Sequence, residues 1–330
     1  MTTFGKLSLK KSHVLCCSTV KFAITQYLQM LLCFLGQSKV FDEASEICDK
    51  FMGIDISSSQ IQRVCRYYGS LLDPVIEKNL EEYIPKLSDV EDQDDVYVMV
   101  DGSYLFTRED KWKEIKLGRI FSGRKVVPTS PKRNEIVESV YVSHMGSVKG
   151  FFPKFERHLA YYPKKIFLAD GAAWIWNWVE DNYPGAIQIL DFYHAKEKLV
   201  LFAKHQFKDD KARKKWLNSQ YEELLNDQVE NVITTVSLLR SRDSSAKDAK
   251  ENVLRYYKQH SERMLYKTYR DQGLLIGSGP IEAAQRNVLQ QRMKLSGQKW
   301  SIKGVNAIAN LRCYNKSNSW HIVENIIKAA

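Results

Sequence analysis

A change in the spacing of apolar residues near position 95 constrains the fold of this chain more than any other feature. Residues 1 to 90 carry apolar side chains at helical spacing, and the acidic, polar stretch PKLSDVEDQDD is typical of a linker ending near Asp95. Three strand patterns come next: VYVMVDG, WKEIKLGRIFSG and EIVESVYVSHMG. In this order they predict an antiparallel meander. The alternation of apolar and polar residues in WKEIKLGRIFSG predicts a half-exposed strand.

Helix and strand patterns then alternate up to residue 195. The helical segments SVKGFFPKFERHLAYY and AAWIWNWVEDNY each precede a strand pattern, KKIFLADG and AIQILDFYHA respectively. A strand, helix, strand succession implies parallel pairing with a right-handed crossover. We therefore predict the α/β class with a ribonuclease-H-like mixed sheet, although other mixed α/β folds share this order. The helix with Trp174, Trp176 and Trp178 is expected to pack on the sheet.

These patterns divide the chain into four regions. Residues 1–90 form a helical N-terminal region, and residues 96–195 form the first part of the mixed sheet. Residues 196–273 are highly charged and carry no strand pattern, which predicts an all-helical insertion. Residues 274–330 return to the sheet domain with a helix that carries Glu282 near its start, followed by a basic C-terminal segment.

The balance of charge favours a polyanionic partner. Lys and Arg number 49 against 39 Asp and Glu, giving a net charge of +10 and a pI near 9.1, and double-stranded DNA is the partner we expect. Residues 283–330 hold eight basic residues against Glu324 alone. The first forty residues contain no acid but five lysines, Lys6, Lys10, Lys11, Lys21 and Lys39. The C-terminal residues predicted to contact phosphates are Arg286, Arg292, Lys294 and Lys299, although a solvated helix face explains such a run equally simply.

Two N-terminal helices are predicted within FDEASEICDKFMGIDISSSQIQRVCRYYGSLL. The turn MGIDISSS supplies a glycine and a serine cap, as the turn of a helix-turn-helix does. In that arrangement Arg63 and Arg66 lie exposed on the second helix and are candidate DNA contacts. An ordinary pair of packed helices has the same pattern, so both interpretations remain open.

Cysteine usage and hydropathy indicate an intracellular protein. The six cysteines contain no C-x-x-C pair, which argues against a zinc ribbon and favours small core residues in a reducing cytoplasm. No signal peptide is recognisable, and TQYLQMLLCFLG is too short to cross a bilayer. These cysteines are Cys16, Cys17, Cys33, Cys48, Cys65 and Cys313.

Three acidic residues are candidates for metal chemistry. Asp101 and Asp170 each end a predicted strand and precede a glycine. Carboxylates there are hard ligands that suit Mg²⁺ or Mn²⁺, whereas the alternative is a common Asp-Gly turn. Glu282 follows Gly279 and Pro280 and is either a first-turn acid or a third ligand. Three such acids suit two metal ions, which activate the attacking oxygen and stabilise the leaving oxygen of a phosphodiester displacement.

A further pair, Asp191 and His194, lies in LDFYHAKEKL at the end of the last predicted strand. Three residues of separation place both side chains on one side of a helix that begins there. His194 is then suited to position a phosphate, stabilise a flipped nucleotide or shuttle a proton. The alternative is a capping aspartate beside a histidine that is satisfied at the helix start.

Taken together, these motifs resemble the Mutator-like superfamily of DDE transposases, and most closely the bacterial Kra-type insertion-sequence transposases. The resemblance runs from about Phe41 to Trp320. Its pieces, in order, are VDGSYLFTREDKWKEIKLGRIF, FLADGAAWIWNW, ILDFYHAKEKL, the residues Arg263, Met264 and Tyr266, then IGSGPIEAAQR and RMKLSGQKW. The chain differs from the family in its compact N-terminal part without a zinc-binding module.

The resemblance implies roles for the candidate residues. It assigns Asp101, Asp170 and Glu282 as the metal-binding catalytic acids and matches Asp191 and His194 to an Asp-x-x-His signature. It also implies Mg²⁺-dependent cutting at element ends, joining of the freed 3′ hydroxyl to target DNA, and a homodimer or larger assembly on terminal inverted repeats in the bacterial nucleoid. Two alternatives stay open: a structure-selective nuclease on the same fold, and a non-catalytic DNA-binding protein derived from a transposase.

Overall fold

The computed structural model describes residues 21–78, 80–130 and 133–330. Of the features predicted above, Lys6, Lys10, Lys11, Cys16 and Cys17 lie outside the described residues. Three helices open the described part: α1 (Gln26–Ser38), α2 (Phe41–Met52) and α3 (Ser58–Glu77).

The turn between α2 and α3 has the geometry that its residues favour. Gly53 ends α2 with a φ of 62°, a left-handed conformation that glycine adopts without steric cost. Ser57 precedes α3 and accepts a hydrogen bond from the Gln60 backbone N–H at 3.3 Å. Two helices joined by a short turn are therefore present where the sequence predicted them.

Within the described residues seven strands follow the linker: β1 (Val96–Thr107), β2 (Lys111–Ser122), β3 (Val126–Ser130), β4 (Arg133–Ile136), β5 (Val140–Met145), β6 (Lys165–Ala169) and β7 (Ile187–Leu190). Five of them form one mixed sheet in the order β5-β2-β1-β6-β7. β2 pairs antiparallel with both β5 and β1, whereas β1, β6 and β7 run parallel to one another. The α/β class predicted from the sequence is confirmed.

The third predicted strand, EIVESVYVSHMG, is wrong as a single strand. Its first residues end β4, which pairs with β3 in a separate two-stranded sheet, and only its second half enters the main sheet as β5. The residues between the two strands are held by polar contacts rather than by strand pairing. Arg119 donates to the Ser139 hydroxyl at 3.0 Å, and Lys125 lies 3.4 Å from the Glu138 carboxylate.

The expectation of a half-exposed β2 is also wrong, because residues 115–122 are all buried. β2 lies between β1 and β5, and both of its faces are covered. On one face a Cβ at Gly118 would collide with the Phe155 ring, and on the other Arg119 donates to the Pro280 carbonyl at 2.6 Å. Lys116 and Arg119 are therefore buried polar groups, and only the first residues of the strand reach solvent.

Helices α4 (Val148–Leu159) and α5 (Ala173–Asn182) pack beside the sheet. Trp176 and Trp178 are 1% and 6% exposed, and the Trp178 ring stacks on Phe152 with centroids 4.2 Å apart. The tryptophan helix thus packs in the core, as expected from its pattern.

Between β7 and residue 274 every described element is helical: α6 (Phe192–Gln206), α7 (Asp210–Leu225), α8 (Val229–Leu238), α9 (Ser244–His260), a 3₁₀ turn (Ser261–Arg263) and α10 (Tyr266–Asp271). The chain ends with α11 (Gly279–Ala284), a π-helical segment (Gln285–Gln290), α12 (Gln291–Met293), α13 (Ile302–Lys316) and α14 (Trp320–Ala329).

Helix α13 joins the N-terminal helices to the sheet. At Gly69 of α3, a Cβ would overlap the carbonyl of Ala307, so the two helices approach more closely than side chains permit. Asn310 of α13 donates to the Gly69 carbonyl at 3.1 Å and accepts from Lys154 of α4 at 2.7 Å. The N-terminal helices and the sheet domain therefore share one continuous core.

The four cysteines within the described residues, Cys33, Cys48, Cys65 and Cys313, are buried and free, as expected for small core residues. None of the helices in the described part of the chain is both long enough and apolar enough to span a bilayer.

Candidate active site

Three aspartates lie level with one another at one edge of the sheet. β1 pairs with β6 up to Val98 and Phe167, and continuing this register by three residues sets Asp101 beside Asp170. β6 pairs with β7 up to Ala169 and Leu190, and one further step sets Asp170 beside Asp191. The segment from Ser278 to Gln285 contacts both Asp191 and Asp101, and Asp101 is in electrostatic contact with Asp170, so the three residues lie on the same side of the sheet.

Asp101 does not end its strand, contrary to the prediction from the sequence. β6 stops at Ala169, but β1 continues to Thr107 because β2 still pairs with it along its whole length. The carboxylate accepts a hydrogen bond from the Gly102 N–H at 2.7 Å. Burial, with the nearby negative charge of Asp170, raises the pKa of Asp101 to about 6.

Asp170 lies in a tight turn between β6 and α5. Its carboxylate accepts the Ala172 N–H at 3.0 Å, and its backbone carbonyl accepts the Trp176 indole N–H. The turn also touches the helical insertion, because a Cβ at Gly171 would collide with the Tyr256 ring of α9. The sequence left a turn and a metal ligand as alternatives for Asp170. Asp170 and Gly171 form the turn, and the Asp170 carboxylate is also the candidate ligand.

Asp191 and His194 form an ion pair in which Asp191 is buried and His194 is partly exposed. Asp191 caps α6 and accepts the His194 backbone N–H at 2.8 Å, the His194 Nδ1–H and the Ser278 N–H at 2.7 Å. Burial opposes ionisation of Asp191, but these hydrogen bonds outweigh it and lower its pKa. The hydrogen bond to Asp191 raises the pKa of His194 to about 9, so the imidazole is protonated at neutral pH. The capping interpretation is thus correct, and it leaves a fixed positive charge in electrostatic contact with Asp101 and Asp170.

Glu282 lies in α11, which is attached to this site at two points. Ser278 donates its hydroxyl to Glu282 Oε1 at 2.9 Å and its N–H to Asp191, so a single residue separates the two carboxylates. Gln285 donates to the Asp101 carbonyl at 3.0 Å and accepts from the Ser103 hydroxyl at 2.9 Å. Glu282 precedes Gln285 by three residues and therefore lies about one helical turn from this contact with β1.

The structure brings Asp101, Asp170, Asp191 and His194 together, and it holds Glu282 on Ser278 at the margin of the site. Among the described residues, no three Asp, Glu, His or Cys side chains are grouped closely enough to hold a metal ion. The carboxylates predicted to bind metal are those of Asp101, Asp170 and Glu282. The Glu282 carboxylate, however, accepts a hydrogen bond from the Ser278 hydroxyl. A π-helical segment begins directly after α11, and such segments are frequent at functional sites.

Sequence reasoning missed Ser278, Gln285 and Tyr256 as parts of this site. Gln285 carries a signal, because its spacing from Glu282 places it on the same side of the helix. Ser278 lies in the motif IGSGPIEAAQR, but only the fold reveals that it bridges two acids. Nothing in the sequence around Tyr256 connects it with Gly171, which lies 85 positions earlier in the chain.

A comparison with protein families places the chain. The model of an uncharacterised protein family, UPF0236, matches residues 38–325 and so covers most of its length. The chain belongs to the UPF0236 family. No curated protein matches it.

In this UPF0236 protein the predicted DNA contacts fall into two groups. Arg63, Arg66, Arg286, Lys294 and Lys299 are exposed. Arg292 is only 2% exposed and donates two hydrogen bonds to the Gly36 carbonyl at the end of α1, at 3.2 and 3.1 Å. The prediction of a phosphate contact at Arg292 is therefore corrected, because its guanidinium is buried in the core.

Arg312 behaves in the same way. It is 4% exposed and donates to the carbonyls of Gln37, Asn287 and Val288. Arg292 and Arg312, the arginine pair, thus satisfy backbone carbonyls at the end of α1 and along the π-helical segment. The basic charge that the UPF0236 chain presents to solvent at its C-terminal end is smaller than its sequence suggests.

Proposed function

We propose that this protein is a DDE transposase with a ribonuclease-H-like catalytic domain, related to the Mutator-like superfamily. The observation that carries the proposal is the row of Asp101, Asp170 and Asp191 on one face of three adjacent strands, with α11 bringing Glu282 to its margin. Three antiparallel strands followed by two parallel ones, with a helical insertion before α11, is the arrangement expected of such a domain.

In the proposal Asp101, Asp170 and Glu282 hold a pair of Mg²⁺ or Mn²⁺ ions, which requires Glu282 to move because the three acids do not form a metal-binding group as they stand. Asp101 and Asp170 offer hard carboxylate oxygens, and burial beside a second negative charge makes the ionised form of Asp101 costly. A divalent cation offsets this cost directly. Glu282 is the third ligand in the proposal, once its carboxylate leaves the Ser278 hydroxyl. Bound metal would activate the attacking oxygen and stabilise the leaving oxygen of a phosphodiester displacement.

His194 contributes positive charge to the same place. Asp191 holds the imidazole protonated and fixes its ring through Nδ1, which leaves Nε2–H to donate to a phosphate oxygen. Orientation comes from the hydrogen bonds around Asp191, because three donors fix that carboxylate. In this mechanism His194 binds and orients the phosphate that will be cut.

The substrate of the proposal is double-stranded DNA, the ends of a mobile element and then its target. Arg63 and Arg66 on α3, together with Arg286, Lys294 and Lys299, are the candidate phosphate contacts. A homodimer or larger assembly on two element ends, acting in the cytoplasm on the bacterial nucleoid, completes the proposal.

The test is cleavage of duplex DNA that carries the sequences flanking the gene, with and without Mg²⁺. We expect Asp101→Asn, Asp170→Asn and Glu282→Gln each to lower cleavage by at least about a hundredfold. DNA affinity should remain near that of the wild type, because phosphate contacts by Lys and Arg supply most of it. Asp181→Asn, an exposed acid on α5, is the matched control and should cut normally.

Three results would contradict the proposal. Normal cleavage by any of the three acid variants would remove that residue from the catalytic site. Hydrolysis by the wild type without joining of precut 3′ ends to target DNA would identify a structure-selective nuclease instead, and metal-independent binding without cleavage would identify a non-catalytic DNA-binding protein.

A further inference from the structure

An aromatic slot lies beyond the row of acids, where the β1–β2 ribbon extends past the rest of the sheet. It has a volume of about 370 Å³ and is lined by Phe106, Trp112, Met293 and Leu295 together with Lys294 and Lys299. Sites of roughly 300 to 1,000 Å³ hold small ligands or parts of larger ones. We call it the Trp112 slot.

Trp112 leaves most of its surface in solvent. It is 60% exposed, and its ring meets Phe106 edge-on, with centroids 5.6 Å apart and planes at 88°. Leu295 beside it is also 42% exposed. A large aromatic and a leucine exposed together in a concave site mark a binding surface more than a solitary exposed apolar residue does.

The opposite wall of the slot is held in place by backbone contacts. The Trp300 N–H donates to the Phe106 carbonyl at 3.2 Å, and the Arg108 N–H donates to the Trp300 carbonyl at 2.8 Å. The Trp300 indole donates to the Met293 carbonyl at 3.0 Å, and Gly297 makes the turn between them with a φ of 75°. The slot is therefore preformed and does not need a ligand to order it.

Two unpaired lysines line the slot. Lys294 and Lys299 are exposed, and neither forms an ion pair with a described residue. The two acids at the tip of the ribbon are already engaged, since Asp110 pairs with Lys113 and Glu109 accepts the Ile302 N–H at 3.3 Å. The net local charge is therefore positive and suits phosphates on either side of a ring bound in the slot.

We propose that the Trp112 slot stacks an unpaired nucleobase of the DNA bound at the candidate active site. Aromatic planes flanked by lysines are the means by which proteins hold single-stranded nucleic acid without reading its sequence. This inference rests on the proposed function, because that function supplies the DNA.

The slot lies away from the row of acids. Phe106 lies five residues beyond Asp101 on β1, a span of roughly 17 Å at the rise of an antiparallel strand. A base stacked on Trp112 is therefore not the base adjacent to the phosphate that is cut.

The test uses the full chain and single-stranded oligonucleotides without metal, so that it does not depend on cleavage. Trp112→Ala should weaken binding of a single strand by about tenfold, the loss expected for one stacked base, while Trp112→Phe should retain most of the affinity. Tyr27→Ala removes an aromatic residue that is 68% exposed on α1 and should leave affinity unchanged.

A second readout places the base. In a series of cognate duplexes with 2-aminopurine at successive positions, quenching should peak at one position in the wild type and disappear in Trp112→Ala. Unchanged affinity and unchanged quenching in Trp112→Ala would overturn the slot while leaving metal-dependent cleavage intact. Conversely, Trp112-dependent binding by a protein that never cuts DNA would support the slot and overturn the transposase assignment.

Discussion

The row of acids and the arginine pair beneath α1 both bury charged side chains, and in both regions burial shifts the pKa against the charged form, to about 10 for Arg292 and Arg312 and to about 6 for Asp101. The two regions differ in what surrounds the charge. Arg292 and Arg312 donate hydrogen bonds to backbone carbonyls, whereas Asp101 lies beside a second negative charge, Asp170. A buried charge whose hydrogen bonds are made by backbone groups is structural, whereas one beside a charge of the same sign is suited to an external ligand of the opposite sign.

The largest effect is expected from a substitution in the arginine pair. Arg312→Met leaves the carbonyls of Gln37, Asn287 and Val288 without their donor, so we expect the free energy of unfolding to fall by about 3–5 kcal/mol. Urea unfolding measures this change. Lys316→Met, at an exposed position on the same helix, should change stability by less than about 0.5 kcal/mol. A loss at Arg312 no greater than that of the control would contradict the structural role.

The next effect concerns His158, a buried ionisable group outside both regions. Burial lowers its pKa from the ordinary 6.5 to about 4, and Nδ1–H donates to the Lys154 carbonyl at 3.0 Å. The unfolded chain therefore takes up a proton that the folded chain refuses as the pH falls from 6.5 to 4. Stability from this group is complete above pH 6.5 and declines by roughly 3 kcal/mol across that window.

Unfolding measured across this pH range on wild type and His158→Gln isolates the contribution. The difference between the two should grow as the pH rises from 4 to 6.5 and then stay constant. Parallel curves would show that His158 has the same pKa in the folded and unfolded states and would contradict this prediction.

A smaller effect is expected from a substitution in the row of acids. Without divalent metal at pH 7, Asp101→Asn should raise the free energy of unfolding by roughly 1–2 kcal/mol, because it removes a buried negative charge beside Asp170. Mg²⁺ should stabilise the wild type more than the variant, since ligand bound only by the folded state adds to stability. Thermal unfolding with EDTA or Mg²⁺ measures both. If Asp101→Asn is destabilising in EDTA, the surroundings of Asp101 stabilise its negative charge, and the contrast with the arginine pair is wrong.

The smallest expected effect sharpens the role of Glu282. Ser278→Ala removes the hydroxyl that holds this carboxylate and should cost about 0.5–1 kcal/mol of stability. With Glu282 released, half-maximal cleavage should require less Mg²⁺, which a titration of cleavage rate measures. Ser219→Ala, exposed on α7, serves as the control. A higher Mg²⁺ requirement would instead mean that Ser278 positions Glu282 productively.

Sequence patterns predicted the components of the site but not their relations. Asp170 after an apolar run and Asp191 three residues before His194 are local signals, because a strand end and a helix cap involve neighbouring residues. The error at Asp101 has a nonlocal cause. β1 continues beyond the acid only because β2 pairs with it to the end, and no pattern within β1 records how far its partner extends.

Burial of charged residues was the least accessible feature. Arg292 lies in a basic run and resembles Arg286 and Lys294 in the sequence, yet it meets Gly36, 256 positions away, in the core. Likewise, the alternating pattern of β2 is that of a half-exposed strand, and only α4 on one face and Pro280 on the other explain why it is buried.

The sequence by itself determined most of the succession of helices and strands, the α/β class and the positions of Asp170 and Asp191 directly after a strand, because these depend on periodicity and on residues close in the chain. Tertiary structure alone decided that the aspartates share a face and that Ser278 holds Glu282. It also decided that Arg292 and Arg312 bind backbone carbonyls at the end of α1 instead of lying on a solvent-exposed surface. Such relations depend on strand register and on packing between distant segments, where the free energy comes from contacts that no single segment contains.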